Sequence, residues 1–158
     1  EINNHQYIDG GVWANNPTLV GLTEFIINFA DKHSYQGVDI LSISSIIKPS
    51  NELHKKTERS FVDWKDTLFD TFSTGQSRTT DFFIQKVQKS FKFPIRYKRI
   101  EHDSLSETQL SVIDMDKADE KAIKALKAIG TDTGIKFKDD DFVKQMFETL
   151  KTYNNDGK

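Results

Sequence analysis

Tyr7-Ile8-Asp9-Gly10-Gly11-Val12-Trp13-Ala14-Asn15-Asn16-Pro17 is the stretch whose reading decides the fold. Tyr7 and Ile8 favour a strand over Asn4 to Ile8, and Asp9 stands where that strand would end. Gly10 and Gly11 lack Cβ atoms, so the backbone there can turn sharply or approach another segment closely. Such a layout presents an acid in a cleft. Asn15-Asn16 before Pro17 then signals a helix start, because an Asn side chain accepts an orphan backbone N–H and Pro at the first helical position sacrifices none. The spacing predicts a helix from Pro17 to about Lys32, with Leu19, Leu22, Ile26 and Phe29 as its buried stripe and Phe25 and Ile27 widening it. Gly21 inside it costs about 1 kcal/mol relative to Ala, which implies close packing against a neighbour.

Outward from that stretch, Val38 to Ser44 reads as a central strand of a sheet covered on both faces, and Ser45 to Lys56 as a loop. Ser60 caps an expected helix with Phe61, Trp64, Leu68 and Phe72 on one face, stopping at Gly75. A separate helix is expected over Ser77 to Ser90, its apolar face made of Phe82, Phe83, Val87 and Phe91, closed by Pro94. Phe93 to Glu101 alternates as a strand with one wet face, and His102 to Gln109 is a polar link. Asp114 or Asp116 caps a helix from Lys117 to Ile129, burying Ala118, Ala122, Leu126 and Ile129 and ending at Gly130. A last helix runs from Asp140 to about Tyr153, with Phe142, Met146, Leu150 and Tyr153 inward.

The order strand, helix, strand, helices, strand, helices predicts an α/β fold, a layered sheet flanked by helices. Only about three strands are visible where such a sheet usually has about 5–6. The expectation is that the missing strands lie in an upstream segment, residues 1–153 being the C-terminal part of one domain and 154–158 a flexible tail. Glu1 in place of an initiator Met points the same way.

Composition narrows the classes. Lys+Arg 22 against Asp+Glu 24 gives a net charge of -2, which does not ask for nucleic acid or an anionic membrane as the main partner. The absence of Cys excludes disulfides, thiolate metal sites and a cysteine nucleophile, and fits a reducing compartment. No apolar run approaches the roughly 20 residues that span a bilayer, and no signal pattern opens the chain. A soluble protein is expected, cytoplasmic in preference to a secreted effector, with no transmembrane segment.

The run Asp9-Gly10-Gly11 followed by Asn16-Pro17 and a helix resembles the catalytic-aspartate motif of the patatin-like phospholipases. Ile40-Leu41-Ser42-Ile43-Ser44-Ser45 is similar to the strand that in this family commonly reads Leu-Ser-Leu-Gly-Thr-Gly, with serines in place of the usual glycine. Arg96-Tyr97-Lys98-Arg99-Ile100 and Val112-Ile113-Asp114 resemble the family's closing strand and the link to its final helix. The resemblance covers roughly Tyr7 to Gly130 and is most specific at the first motif. It implies the C-terminal portion of a patatin-like three-layer fold and a serine-dependent lipid acyl hydrolase acting on phospholipid or another acyl-ester lipid. In the family a serine in a Gly-x-Ser-x-Gly elbow attacks the ester, the aspartate acts on it without a histidine, and a glycine-rich loop forms the oxyanion hole. Asp9 carries over to the aspartate. Neither elbow nor glycine-rich loop occurs here: Gly75-Gln76-Ser77 continues as Arg78-Thr79. The implied partners are the upstream half of the same domain, which would bring serine and oxyanion loop, and transiently a membrane surface. This chain alone is expected to be inactive, with no cofactor and no metal.

The chemistry can be stated without the family. A serine hydroxyl is a poor nucleophile near neutral pH, and a positioned base that takes its proton typically contributes about 10²–10⁴-fold. A free Asp, with a pKa of about 3.9, is a weak base for that task. Desolvation, close hydrogen bonding and an oxyanion hole must supply the rest. The plainer reading is that Asp-Gly is a common turn dipeptide and Asp9 only a turn or cap residue. The combination with Ile40 to Ser45 favours the functional reading of Asp9, with Gly10 and Gly11 in support. Asn15 and Asn16 read first as helix caps and loop braces and second as groups that fix the acid. The alternative of another class is a non-catalytic patatin-like binding or regulatory module, motivated by the absent nucleophile.

His5, His33, His54 and His102 fall in polar surroundings without metal-ligand spacing, and solvated or structural roles are expected. Asp139-Asp140-Asp141 precedes an apolar helix and lacks the EF-hand pattern, so capping is expected there. Lys86, Lys89, Lys92, Arg96, Lys98 and Arg99 read as a solvated basic face, with lipid headgroups or an acidic partner as the other use. Phe61, Trp64, Phe72, Phe82 and Phe83 read as core before they read as a lipid groove.

Overall fold

A computed structural model describes residues 7–30, 35, 37–46, 60–114 and 117–148, with backbone only for 61–67. The elements are α1 (Gly10–Ala14), α2 (Thr18–Phe25) continued by a π-helical turn (Ile26–Ala30), β1 (Val38–Ile43), α3 (Phe61–Val87), β2 (Ile95–Ile100), α4 (Glu107–Val112), α5 (Glu120–Phe137) and α6 (Asp141–Glu148). The fold is mixed α/β, with a two-stranded parallel sheet in the order β1-β2. Parallel pairing needs a crossover of a dozen residues or more, and the segment holding α3 supplies it. The chain divides into two compact units, Glu1–Arg99 and Ile100–Lys158.

The first unit is built on a small apolar cluster. Leu22, Ile84 and Ile95 are buried, and Ile26, Val38, Ile40, Phe91, Phe93 and Tyr97 pack against them. Val38 N donates to Pro94 O at 3.0 Å, which sets the two strands side by side. A Cβ on Gly37 would lie 2.8 Å from that same carbonyl, so only glycine permits the approach. Asp39 on β1 and Arg96 on β2 form a bidentate pair across the sheet, with Arg96 Nε 2.7 Å from Asp39 Oδ1. Both α1 and α2 pack on α3.

Several expectations are corrected here. Asp9 does not end a strand: Tyr7, Ile8 and Asp9 have no regular structure, and residues 4–6 of the expected strand lie outside the described residues. Gly10 and Gly11 open α1 instead of turning the chain back, because Asp9 caps that helix. The helix from residue 18 exists, but of its expected stripe only Leu22 is buried, while Leu19, Ile27 and Phe29 are exposed. The π turn explains the far end: closing i→i+5 bonds inserts a residue and rotates everything after Phe25 off the original face. Gly21 has nothing within 4 Å of where its Cβ would be, so the expected close packing is absent.

Gly75 does not stop a helix. One helix of 27 residues replaces the two that were expected, since Gly75 also has nothing near its Cβ position and costs only propensity. The face of α3 is also reversed: Phe72, Phe82 and Phe83 are exposed, while Ser73, Ser77, Thr80 and Ile84 are buried. β1 is not a strand flanked on both sides, for it pairs with β2 alone among the described residues and leaves Ile43 68% exposed. Residues 47–56 of the expected loop, like residues 149–158, lie outside the described residues.

In the second unit the expected link His102 to Gln109 ends in a helix. Ser106 and Gln109 form a capping box, with Gln109 N 3.2 Å from Ser106 Oγ and Ser106 N 2.9 Å from Gln109 Oε1. α5 starts later than expected, capped by Asp119, which accepts from Ala122 N at 2.9 Å, and it runs through Gly130 to Phe137. Ala122 and Ile129 are buried as expected, whereas Ala118 and Leu126 are exposed. α6 begins at the acidic run: Asp140 accepts from Val143 N at 3.1 Å, so the run caps a helix.

Candidate functional site

The Asp9 segment is a short helix with an acid at its head and a clamp at its tail. Asp9 is exposed, and its Oδ1 accepts from Gly11 N at 2.7 Å. Oδ2 has no hydrogen-bond partner among the described residues. Gly11 suits this arrangement, because a Cβ there would fall 2.8 Å from Asp9 Oδ1 and the carboxylate would have to shift. Gly10 has open space around it and supports the acid only through the backbone. Tyr7, Ile8 and Trp13, near Asp9 in sequence, are all around 70% exposed.

The tail of α1 is tied to α3. Gln76 Oε1 accepts from Asn15 N at 2.6 Å, and Gln76 Nε2 donates to Trp13 O at 2.5 Å, so one amide satisfies both backbone groups of the turn. Asn15 Nδ2 reaches Ser73 O at 3.4 Å. Asn16 is buried: its Nδ2 donates to Ser77 O at 3.3 Å, and its Oδ1 accepts from Thr18 N at 3.2 Å and Thr18 Oγ1 at 2.6 Å. Through these bonds both asparagines brace the segment.

Beside this turn lies a cavity of about 300 Å³, lined among others by Asn16, Leu22, Phe25, Ile40, Ser42, Ser77 and Arg99. Its polar end is a network. Arg99 donates to Ser42 Oγ at 2.9 Å and to Ser77 Oγ at 3.0 Å, and Thr18 Oγ1 lies 3.2 Å from Ser42 Oγ. Ser44 Oγ is buried on the wall of the cavity with no partner among the described residues. Next to it, Tyr97 donates to Asp81 at 2.8 Å, and burial, with that bond adding, raises the phenol above its ordinary value. A guanidinium cannot accept a serine proton, so this network braces and does not activate Ser42 or Ser77. Asp9 is not among the residues lining the cavity.

Gln76, Thr18, Ser42, Ser77 and Arg99 escaped the sequence reading. A signal existed for one of them: Tyr97 and Arg99 are two apart on a strand and so share a face, which separates Arg99 from the solvated cluster. Gln76 sits in a helix with nothing local to mark it. Among the described residues no group of three or more His, Asp or Glu could hold a metal ion, and no helix is long and apolar enough to cross a membrane. His5, His33 and His54 lie outside the described residues, and His102 Nδ1 contacts Asp103 O at 2.6 Å. Comparison of the chain with protein-family models, with curated proteins and with solved structures returned no match.

Proposed function

We propose that this chain carries the acid of a Ser/Asp dyad in a patatin-like lipid acyl hydrolase, a portion of that three-layer α/β fold to which an upstream part adds the serine and the oxyanion loop. One observation carries the reading: Asp9 is held by Gly11 N through Oδ1 while Oδ2 stays open, on a segment clamped to α3 by Gln76. A carboxylate fixed at one oxygen and open at the other can take the proton of an approaching hydroxyl. Because Asp9 is exposed in this chain, the segment that brings the serine must also cover it.

In the full-length protein Asp9→Asn keeps the cap to Gly11 and loses the base, so hydrolysis of a short-chain acyl ester should fall by about 10²-fold or more. Retained turnover with a folded variant rejects the dyad. The cap bond and the exposure of Asp9 favour, as a second reading, a non-catalytic binding or regulatory module. Wild-type full-length protein without esterase activity selects it.

A further inference from the structure

Helix α1 presents Asp9 at its head and buries none of its five residues. A helix of about one turn does not stand on propensity, because nucleation fixes several backbone angles for the first hydrogen bond. Its tail is weaker still. In a continuing helix Trp13 O would accept from the N–H four residues on, and that position is Pro17, which has no N–H. Gln76 on α3 makes up for this, donating from Nε2 to Trp13 O at 2.5 Å and accepting at Oε1 from Asn15 N at 2.6 Å. The flanking bonds to α3 are longer, Asn15 Nδ2 to Ser73 O at 3.4 Å and Asn16 Nδ2 to Ser77 O at 3.3 Å. Both short bonds meet one planar amide, so they fix the tail in direction as well as in place.

We infer that Gln76 is the positioning residue of Asp9: by holding the tail of α1 it fixes the direction in which the head presents the open Oδ2. The acid has no independent freedom at the other end, since Oδ1 accepts from Gly11 N at 2.7 Å and Asp9 O accepts from Val12 N at 3.1 Å. Acid and helix therefore turn as one body. At about 1.5 Å per residue, a tilt of about 10° at the tail moves the acid by about 1 Å. A misplacement of about that size can cost about 10²-fold in rate. Gln76 touches no reacting atom and acts only through this lever. The inference rests on the dyad reading for its catalytic consequence and on the two bonds for the positioning itself.

The test is Gln76→Met in the full-length protein, which keeps an unbranched side chain of good helix propensity and removes both hydrogen-bonding groups. Amide hydrogen exchange is read at both ends of α1. Asn15 N reports the lost bond, and Val12 N, bonded to Asp9 O, reports the head. Both should exchange about tenfold faster or more, as two bonds are lost, while the buried Ile84 and Ile95 exchange as in the wild type. On a short-chain acyl ester kcat should fall by about tenfold or more with KM changed by less than about twofold. That loss should not add to the loss from Asp9→Asn, because both act through one carboxylate. Unchanged exchange at Val12 overturns the inference. An equal rise at Ile84 and Ile95 does so as well, by making Gln76 a support of the whole first unit. With Asp9→Asn inactive, a retained kcat in Gln76→Met overturns it too. Exchange needs no turnover, so an Asp9→Asn variant that still hydrolyses the ester rejects the dyad alone, and Val12 then decides the positioning.

Discussion

The two long helices among the described residues, α3 and α5, are built on opposite rules. α5 turns small and aliphatic residues inward, Ala122 and Ile129, and sends Lys121, Lys124 and Lys127 to water. Among its described side chains, α3 turns Ser73, Ser77 and Thr80 inward around one buried aliphatic residue, Ile84, and sends Phe72, Phe82 and Phe83 outward. Over the described side chains α5 is therefore held by apolar burial, and α3 by the burial of Ile84 plus hydrogen bonds to its neighbours. Ser77 accepts from Arg99 and, through its carbonyl, from Asn16; Asp81 accepts from Tyr97; Gln76 ties down the turn after α1. A hydrophobic stripe places a helix only where the surface waiting for it is apolar. Beside β2 the waiting groups are a guanidinium and a phenol, and they select a polar helix face.

If Ile84 anchors α3, Ile84→Ala should be the most damaging change among the helix's described side chains, lowering stability by about 2–5 kcal/mol in urea unfolding. Ile129→Ala in α5 falls in the same range. A small loss at Ile84 beside a large one at Ile129 would break the comparison. The polar grip of α3 comes next. Ser77→Ala removes an acceptor from a charged donor and should cost about 1–3 kcal/mol, and a stabilised variant would show that the hydrogen bonds do not hold the helix.

Continuity of the helices is tested at their glycines. Gly75 in α3 and Gly134 in α5 have nothing within 4 Å of their Cβ positions, so Gly75→Ala and Gly134→Ala should each raise stability by roughly 0.4–1 kcal/mol. Destabilisation at Gly75 would mean that α3 is broken there. The smallest effect is on pH dependence. Burial first, and the bond to Asp81 second, raise the Tyr97 phenol above its ordinary 10.0. Above pH 10 the unfolded phenol loses its proton while the folded one keeps it. The contribution is thus complete below that pH and is lost as pH rises through the folded value. Urea midpoints should fall from pH 10 upward, and less steeply in Tyr97→Phe.

Local chemistry was legible wherever a short-range rule governs it. The start of α2 at Asn16-Pro17-Thr18, the strand Val38 to Ile43, the strand around Tyr97 and the capping by Asp140 all follow from side chains reaching their own backbone or from a period of two. Glycine stops were misread at Gly75 and Gly130, because a glycine ends a helix only when the next contact needs a different backbone direction. Neither position makes such a contact. Asp9 is singled out by its sequence context, and the structure gives its cap to Gly11 and its open Oδ2. Gln76 could not be found, since its partners Trp13 and Asn15 lie about sixty residues away along the chain.

By itself the sequence determined where most elements lie, that the acid of Asp9 is followed by two glycines and a capped helix, and that the chain mixes helices with strands. Tertiary structure alone decided which face of α3 is buried, that Arg99 leaves the solvated basic group to bridge Ser42 and Ser77, and that β1 and β2 pair in parallel. The reason is range. Propensity, capping and periodicity act over a few residues, whereas the direction of a helix face is set by the groups that another part of the chain brings against it.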